Sequence, residues 1–229
     1  MKKFFAILVA VIAMLIVSAM AEGKLEVTEF TQFQLDKGDG KYNNYVYAAI
    51  TNTGDTACKV KQVLVQHTDG NGNVFQEKKC NSIFPSTLQP GETAYMYSNE
   101  SFKDIADPSV ISVVVLVPEA SGSGLDTVYY MDSTAEVQVT ERDNDYSVLV
   151  DEILTNTTDA LRMNPYVNFR VYDQNDELIY VTSIYFGNVG LMPDSPAVFR
   201  VGGIWDASKC WKIAGRVPTK VVPFAYTIK

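Results

Sequence analysis

The feature that most constrains this chain is that it repeats itself. The segment LVQHTD at Leu64–Asp69 recurs 104 positions on as NFRVYD at Asn168–Asp173, each ending on an aspartate before a turn. At the same offset Asn52, Thr53 and Asp55 meet Asn156, Thr157 and Asp159, and Val63 and Val65 meet Val167 and Phe169. Asn71 then meets Asn175, and Val74 and Phe75 meet Leu178 and Ile179. After a one-residue slip, LQPGE from Leu88 meets LMPDS from Leu191. Strand, turn and proline loop follow in the same order twice, which predicts two copies of one module of about 100 residues.

Each copy reads as short strands divided by turn chemistry. In the first, Leu25–Leu35, Tyr42–Thr51, Val60–Thr68, Val74–Lys79, Thr93–Tyr97 and Val110–Val117 are rich in the β-branched and aromatic residues that suit a pleated, half-buried surface. In the second, the strands are Ala135–Thr140, Tyr146–Leu154, Tyr166–Tyr172, Leu178–Tyr185, Ala197–Gly203 and Lys220–Ile228. The first copy's strands are separated by DKGDGK, NTGDT, DGNGN, PSTLQPGE and KDIADPS, where Gly and Asn allow positive φ and Pro fixes it. Alternation puts Val63, Val65 and His67, and with them Val167, Phe169 and Val171, on one face toward a core. The expectation is an all-β chain of two tandem antiparallel β-sandwich domains at 22–124 and 134–229. Residues 125–133 are a linker or an extra hairpin strand of the first copy, and short helical turns are expected at FKDIAD and WDASKCW.

Lys2 and Lys3 precede an apolar run from Phe4 to Val17, and Ala19-x-Ala21 stands before Glu22 and Gly23. This is the pattern of a secretory signal peptide over 1–21, so the protein is expected to be secreted or held at the cell surface. The alternative is an uncleaved anchor, since about 18 apolar residues can just span a bilayer; only in that case is membrane a partner. Without Lys2 and Lys3 the chain carries 17 basic and 27 acidic side chains, a net charge of −10 that repels phosphate backbones and excludes nucleic acid as a natural partner.

Phe169, Arg170, Val171, Tyr172 and Asp173 resemble the motif of the FxLYD family, small Ig-like β-sandwich domains of secreted and cell-surface bacterial proteins. The order around it, an Asn-Thr-Gly turn, a strand, the motif, a hairpin and a Leu-x-Pro-Gly-Glu loop, is similar too. The first copy supplies Asn52, Thr53, Gly54, Leu88, Pro90, Gly91 and Glu92 but only Asp69 of the signature; the second supplies the signature, with Val171 in place of Leu, and departs at Thr158 and at PDS. The resemblance implies an Ig-like fold in an extracellular setting and carries no catalytic residue, because the motif consists of an inward Phe, an inward aliphatic and a turn-forming Asp.

His67 is the only histidine, so paired-histidine metal sites and imidazole relays are excluded, and its inward position reads as core. DGNGN at Asp69–Asn73 begins like a calcium loop, but Val74 stands where glycine is required and Cys80 where the bidentate glutamate belongs; a hairpin turn explains the letters. DQNDE at Asp173–Glu177 reads likewise, and ERDND at Glu141–Asp145 reads as solvated loop charge. No cofactor or catalytic group is expected. Thirteen tyrosines leave two readings open: exposed rings that stack on sugar faces, or packed rings whose hydroxyls reach water. Tyr42, Tyr45 and Tyr47 on one strand are the candidate ligand face, and Tyr129 and Tyr130 lie on another.

A hairpin folded at Asp69–Gly72 brings Cys58 and Cys80 near one another, so they are the candidate disulfide. It would close a loop of about 20 residues and contribute about 3 kcal/mol. Cys210 is left either buried beside Trp211 or linking two chains, and Trp205 and Trp211 bracket the second helical turn. The function these observations point to is a secreted, non-catalytic binding or structural module for an extracellular protein or polysaccharide. The alternative is a carbohydrate-binding protein that uses exposed tyrosines.

Overall fold

A computed structural model describes residues 23–69, 71–202 and 207–229, so the signal-peptide reading of 1–21 and the reading of Trp205 lie outside the described residues. The N-terminal half contains β1 (Leu25–Gly38), β2 (Lys41–Asn52), β3 (Cys58–Thr68), β4 (Val74–Cys80), β5 (Ile83–Phe84), β6 (Thr87–Leu88), β7 (Thr93–Phe102) and β8 (Val113–Ser121). β1, β2, β7 and β5 form one antiparallel sheet in that order, while β3 carries β4 and β6 on one side and β8 on the other. The C-terminal half contains β9 (Val128–Glu141), β10 (Tyr146–Thr155), β11 (Arg162–Met163), β12 (Tyr166–Asp173) and β13 (Leu178–Tyr185). It continues with β14 (Gly190–Leu191), β15 (Pro196–Gly202), helix α1 (Ser208–Ile213) and β16 (Pro218–Ile228). Six of these strands hydrogen-bond in the order β13-β12-β16-β9-β10-β15. The chain is therefore all-β, built from several antiparallel sheets packed as sandwiches.

The pairing scheme of the first half recurs in the second. β1-β2-β7 is matched by β9-β10-β15, and β4-β3-β8 by β13-β12-β16. Register is matched as well: Val63 faces Cys80 and Val167 faces Ile184, both partners displaced by 104. The turns repeat atom for atom. Asn52 donates through Nδ2 to Thr56 O (2.8 Å) and Leu88 O (3.3 Å), and its Oδ1 accepts from the Gly54 amide (3.1 Å). Asn156 does the same with Ala160 O (2.8 Å), Leu191 O (2.8 Å) and the Thr158 amide (3.0 Å). Asp69 Oδ1 accepts from the amides of Asn71 and Asn73, and Asp173 Oδ1 from those of Asn175 and Glu177. These aspartates fold hairpin turns, and the backbone amides they accept occupy the oxygen a cation would need. The PGE and PDS loops also converge: Gly91 and Asp194 both donate to the preceding asparagine carbonyl from positive φ, 80° and 55°, a conformation glycine and aspartate tolerate.

Two departures from expectation have clear causes. Residues from Val128 onward are neither linker nor a strand of the first half; they open β9, whose first four residues pair with β16 and whose next ten pair with β10. One strand serving two ladders in succession is how a chain passes between the layers of a sandwich. The helical turn placed at FKDIAD falls later, at Pro108–Ile111, because Asp107 caps it by accepting from the Ser109 amide (2.9 Å) and Pro108 suits its first position.

The core explains how the halves sit together. Val46, Ala48 and Ile50 of β2 pack with Ala94 and Met96 of β7 against Val60, Val63 and Val65 of β3. A register shift between Val60 and Gln62 changes which parity of β3 points inward, from even before it to odd after it. The other face of β2 and β7 is buried too: Tyr45, Tyr47, Ala49 and Tyr95 share one apolar cluster with Phe169, Tyr180 and Trp211 of the second half. Tyr47 meets Tyr180 (ring centroids 5.1 Å apart), and Tyr95 meets Phe224 (5.4 Å). Arg170 lies over the Tyr95 ring and donates to its hydroxyl, and Thr31 donates to the Leu178 carbonyl.

Candidate functional site

The expected ligand face is not a surface. Tyr45 and Tyr47 are 4% and 3% exposed, committed to the contact with the second half, and half-buried Tyr42 packs on Phe102, Ile105 and Ile111. This corrects the reading of Tyr42, Tyr45 and Tyr47 as a sugar-stacking strand. The burial has a sequence signal, the uncharged run YVYAAI, which suits a strand covered on both faces rather than one.

The disulfide reading is likewise corrected. Cys80 stands opposite Val63, not Cys58, and Cys58 stands opposite Leu88. After Cys80 the chain leaves β3 and pairs as β5 with β7 in the other sheet, so no residue of β4 reaches Cys58. All three cysteines are buried free thiols; Cys80 donates to the Tyr97 carbonyl (3.1 Å). Burial pushes the Cys58 and Cys80 thiols up and that of Cys210 to about 11, which suppresses the thiolate.

His67 is fully buried, edge-on to Phe102, with Nδ1 3.3 Å from the Asn44 amide nitrogen. Desolvation holds its pKa below the ordinary value, Glu100 opposing and Lys78 adding to the effect, so it is a neutral core side chain. Glu152 continues the inward stripe Tyr146, Val148, Val150 and Leu154 of β10. Burial pushes its carboxyl up to about 8, against a hydrogen bond donated by Ser133, and its Oε2 has no partner. Among the described residues no three His, Cys, Asp or Glu side chains converge to hold a metal ion.

Tyrosine rings do gather elsewhere, in a row exposed only at its ends. Tyr185, Tyr166, Tyr226 and Tyr130 stand directly opposite one another on β13, β12, β16 and β9, giving a row across four strands. Successive ring centroids are 5.0, 5.1 and 6.4 Å apart, the central pair stacked at 12°. Cross-strand aromatic pairs of this kind stabilise a sheet, yet the row ends unburied: Tyr185 is 54% exposed and Tyr130 42%. Burial raises the pKa of Tyr166, with Tyr185 and Asp126 adding, so its hydroxyl stays protonated.

At the Tyr185 end lies an open cleft of about 330 Å³ lined by Tyr129, Tyr166, Tyr185, Arg162, Met163 and Asn164, among others. It forms where β9 starts and β12, β13 and β16 meet the short β11. Arg162 is held there from two sides: its guanidinium carbon is 3.5 Å from the Tyr129 ring centroid and its Nε donates to Thr158 Oγ1 (2.9 Å). Asn164, at φ 57°, accepts from the Asn188 amide through Oδ1 (2.8 Å). A second cavity of about 270 Å³, lined by Thr87, Gln89, Glu92, Asp126 and Tyr130, sits at the other end of the row. Tyr129 and Tyr130 were legible as a pair on a strand, but their grouping with Tyr166, Tyr185 and Tyr226 depends on strand register.

No family model matches this chain, and no curated protein matches it. Among solved structures, the N-terminal CBM22-1-CBM22-2 tandem domain from Paenibacillus barcinonensis Xyn10C aligns with 91% of this chain and 85% of its own. The identity is 9% and the TM-score 0.15, a likeness too low to carry an argument.

Proposed function

We propose that the protein is a secreted, non-catalytic binding module made of two tandem Ig-like β-sandwich domains of the FxLYD type, and that its ligand is a carbohydrate. The observation that carries the reading is the cleft lined by Tyr129, Tyr166 and Tyr185, in which the half-exposed Tyr185 ring stands near the fixed guanidinium of Arg162. Carbohydrate sites combine these two elements because a pyranose has an apolar face of C–H groups and a rim of hydroxyls. The duplicated turns at Asn52 and Asn156, and the inward Phe169 and Val171 with the turn-forming Asp173, support the tandem Ig-like assignment. Extracellular placement rests on the N-terminal sequence pattern.

The test is an array of glycans and cell-wall polymers probed with residues 22–229. Saturable binding that Tyr185→Ala weakens at least tenfold, in a variant that still unfolds cooperatively, is expected. A blank array from folded protein would overturn the carbohydrate reading.

A further inference from the structure

We infer that the cleft selects a carboxylated saccharide, a pyranose of the uronic-acid type, over its neutral counterpart; this rests on the carbohydrate reading above and gives it a substrate class. Arg162 carries the inference. Of the five arginines, Arg200 pairs with Asp151, Arg216 pairs with Asp173 and Glu177, Arg170 is taken up by the Tyr95 and Phe224 rings, and Arg142 stands on an exposed turn outside the two cavities. Arg162, in a chain with 27 acidic residues against 19 basic, has no carboxylate partner among the described residues. It is instead fixed by an aromatic ring below and a hydroxyl at Nε, so the two terminal amino groups of its planar fork remain for a ligand. No aspartate or glutamate lines the cleft. The nearby Asp126 lines the second cavity and is paired with Lys59 at 2.8 Å.

A guanidinium immobilised before binding accepts a carboxylate in a two-pronged geometry at little entropic cost, which is the arrangement that favours a planar anion over a hydroxyl. The rest of the cleft fits the sugar ring that would carry it. Tyr185, half-exposed, offers a ring face for stacking near Arg162, and Asn164 adds a side-chain amide to the cleft wall. An acidic peptide would satisfy Arg162, but its carboxylate sits on a flexible chain with no flat face of ring C–H groups for the Tyr185 ring, and the saccharide is therefore the favoured occupant.

Calorimetric titration of residues 22–229 with trigalacturonic acid, neutral galactotriose and a tri-glutamate peptide tests this. Trigalacturonic acid is expected to bind at least tenfold more tightly than galactotriose, with the preference weakening as salt rises. Arg162→Gln should remove the preference while leaving the thermal midpoint in place, and Arg162→Lys should restore only part of it, since an ammonium cannot form the fork. Equal affinity for the two sugars, or a preference that survives Arg162→Gln, would overturn the inference while leaving the carbohydrate reading intact. Tri-glutamate binding as tightly as the acidic sugar would also overturn it. If neither trisaccharide binds, the inference falls, and the glycan array then decides separately whether the carbohydrate reading falls with it.

Discussion

A carboxyl group in the middle of an apolar stripe is the residue-scale feature with the largest expected consequence. Glu152 has its pKa raised by burial to about 8, whereas an unfolded glutamate titrates near 4.5. Between those values the unfolded chain releases a proton that the folded chain retains, so folding stability declines as pH rises from 4.5 toward 8 and then levels off. Glu152→Gln keeps the shape and the bond from Ser133 without the titration. The variant should match the wild type near pH 4.5 and exceed it by about 4 kcal/mol at pH 8 in urea denaturation. Parallel curves for the two proteins across this range would contradict the assignment. Asp173 works in the opposite sense: burial opposes its ionisation, but the Glu177 and Asn175 amides and Arg216 outweigh it and hold its pKa below the ordinary value. Its contribution is therefore present above the unfolded value and lost as pH falls through the folded one.

At the scale of the element, β2 shows what was legible and what was not. Alternation along β3 and β12 put Val63, Val65, Val167, Phe169 and Val171 inside, where they are, because one buried face leaves a period-two pattern in the letters. β2 has two buried faces, which erases the alternation and makes Tyr45 and Tyr47 look available. The same limit hid the cleft, since Tyr129, Tyr166 and Tyr185 are brought together by pairings between strands far apart in sequence. Two substitutions separate these roles. Tyr47→Ala should lower stability by about 3 kcal/mol and leave saccharide binding unchanged, while Tyr185→Ala should weaken binding and cost no more than about 1 kcal/mol of stability, the worth of its pairing with Tyr166. Denaturation curves and titrations on both variants check this, and the reverse pattern would return the ligand face to β2. In the hairpin of β3 and β4, Cys80 pairs opposite Val63, five residues along β3 from Cys58, and that distance separates the two cysteines that the turn alone would bring near one another.

Across the whole molecule, one apolar cluster runs from Phe33, Tyr47 and Tyr95 of the first half to Phe169 and Trp211 of the second. The two halves therefore should not unfold independently. A single cooperative transition is expected in urea for residues 22–229, with the same midpoint by near- and far-ultraviolet circular dichroism. Tyr95→Ala removes the ring that meets Phe224 and lies beneath Arg170, and should spread the transition or split it in two. Two transitions in the unaltered protein would show that the shared cluster does not couple the halves.

The long strand β9 gives this coupling a mechanical side. Its first four residues are hydrogen-bonded along β16 and its next ten along β10, and Tyr129 of the cleft stands within the first stretch. A load drawn along β9 would be carried by both ladders in shear, with many hydrogen bonds strained together rather than opened one after another. A ligand pulling on the cleft of an anchored protein would then meet a stiff mount.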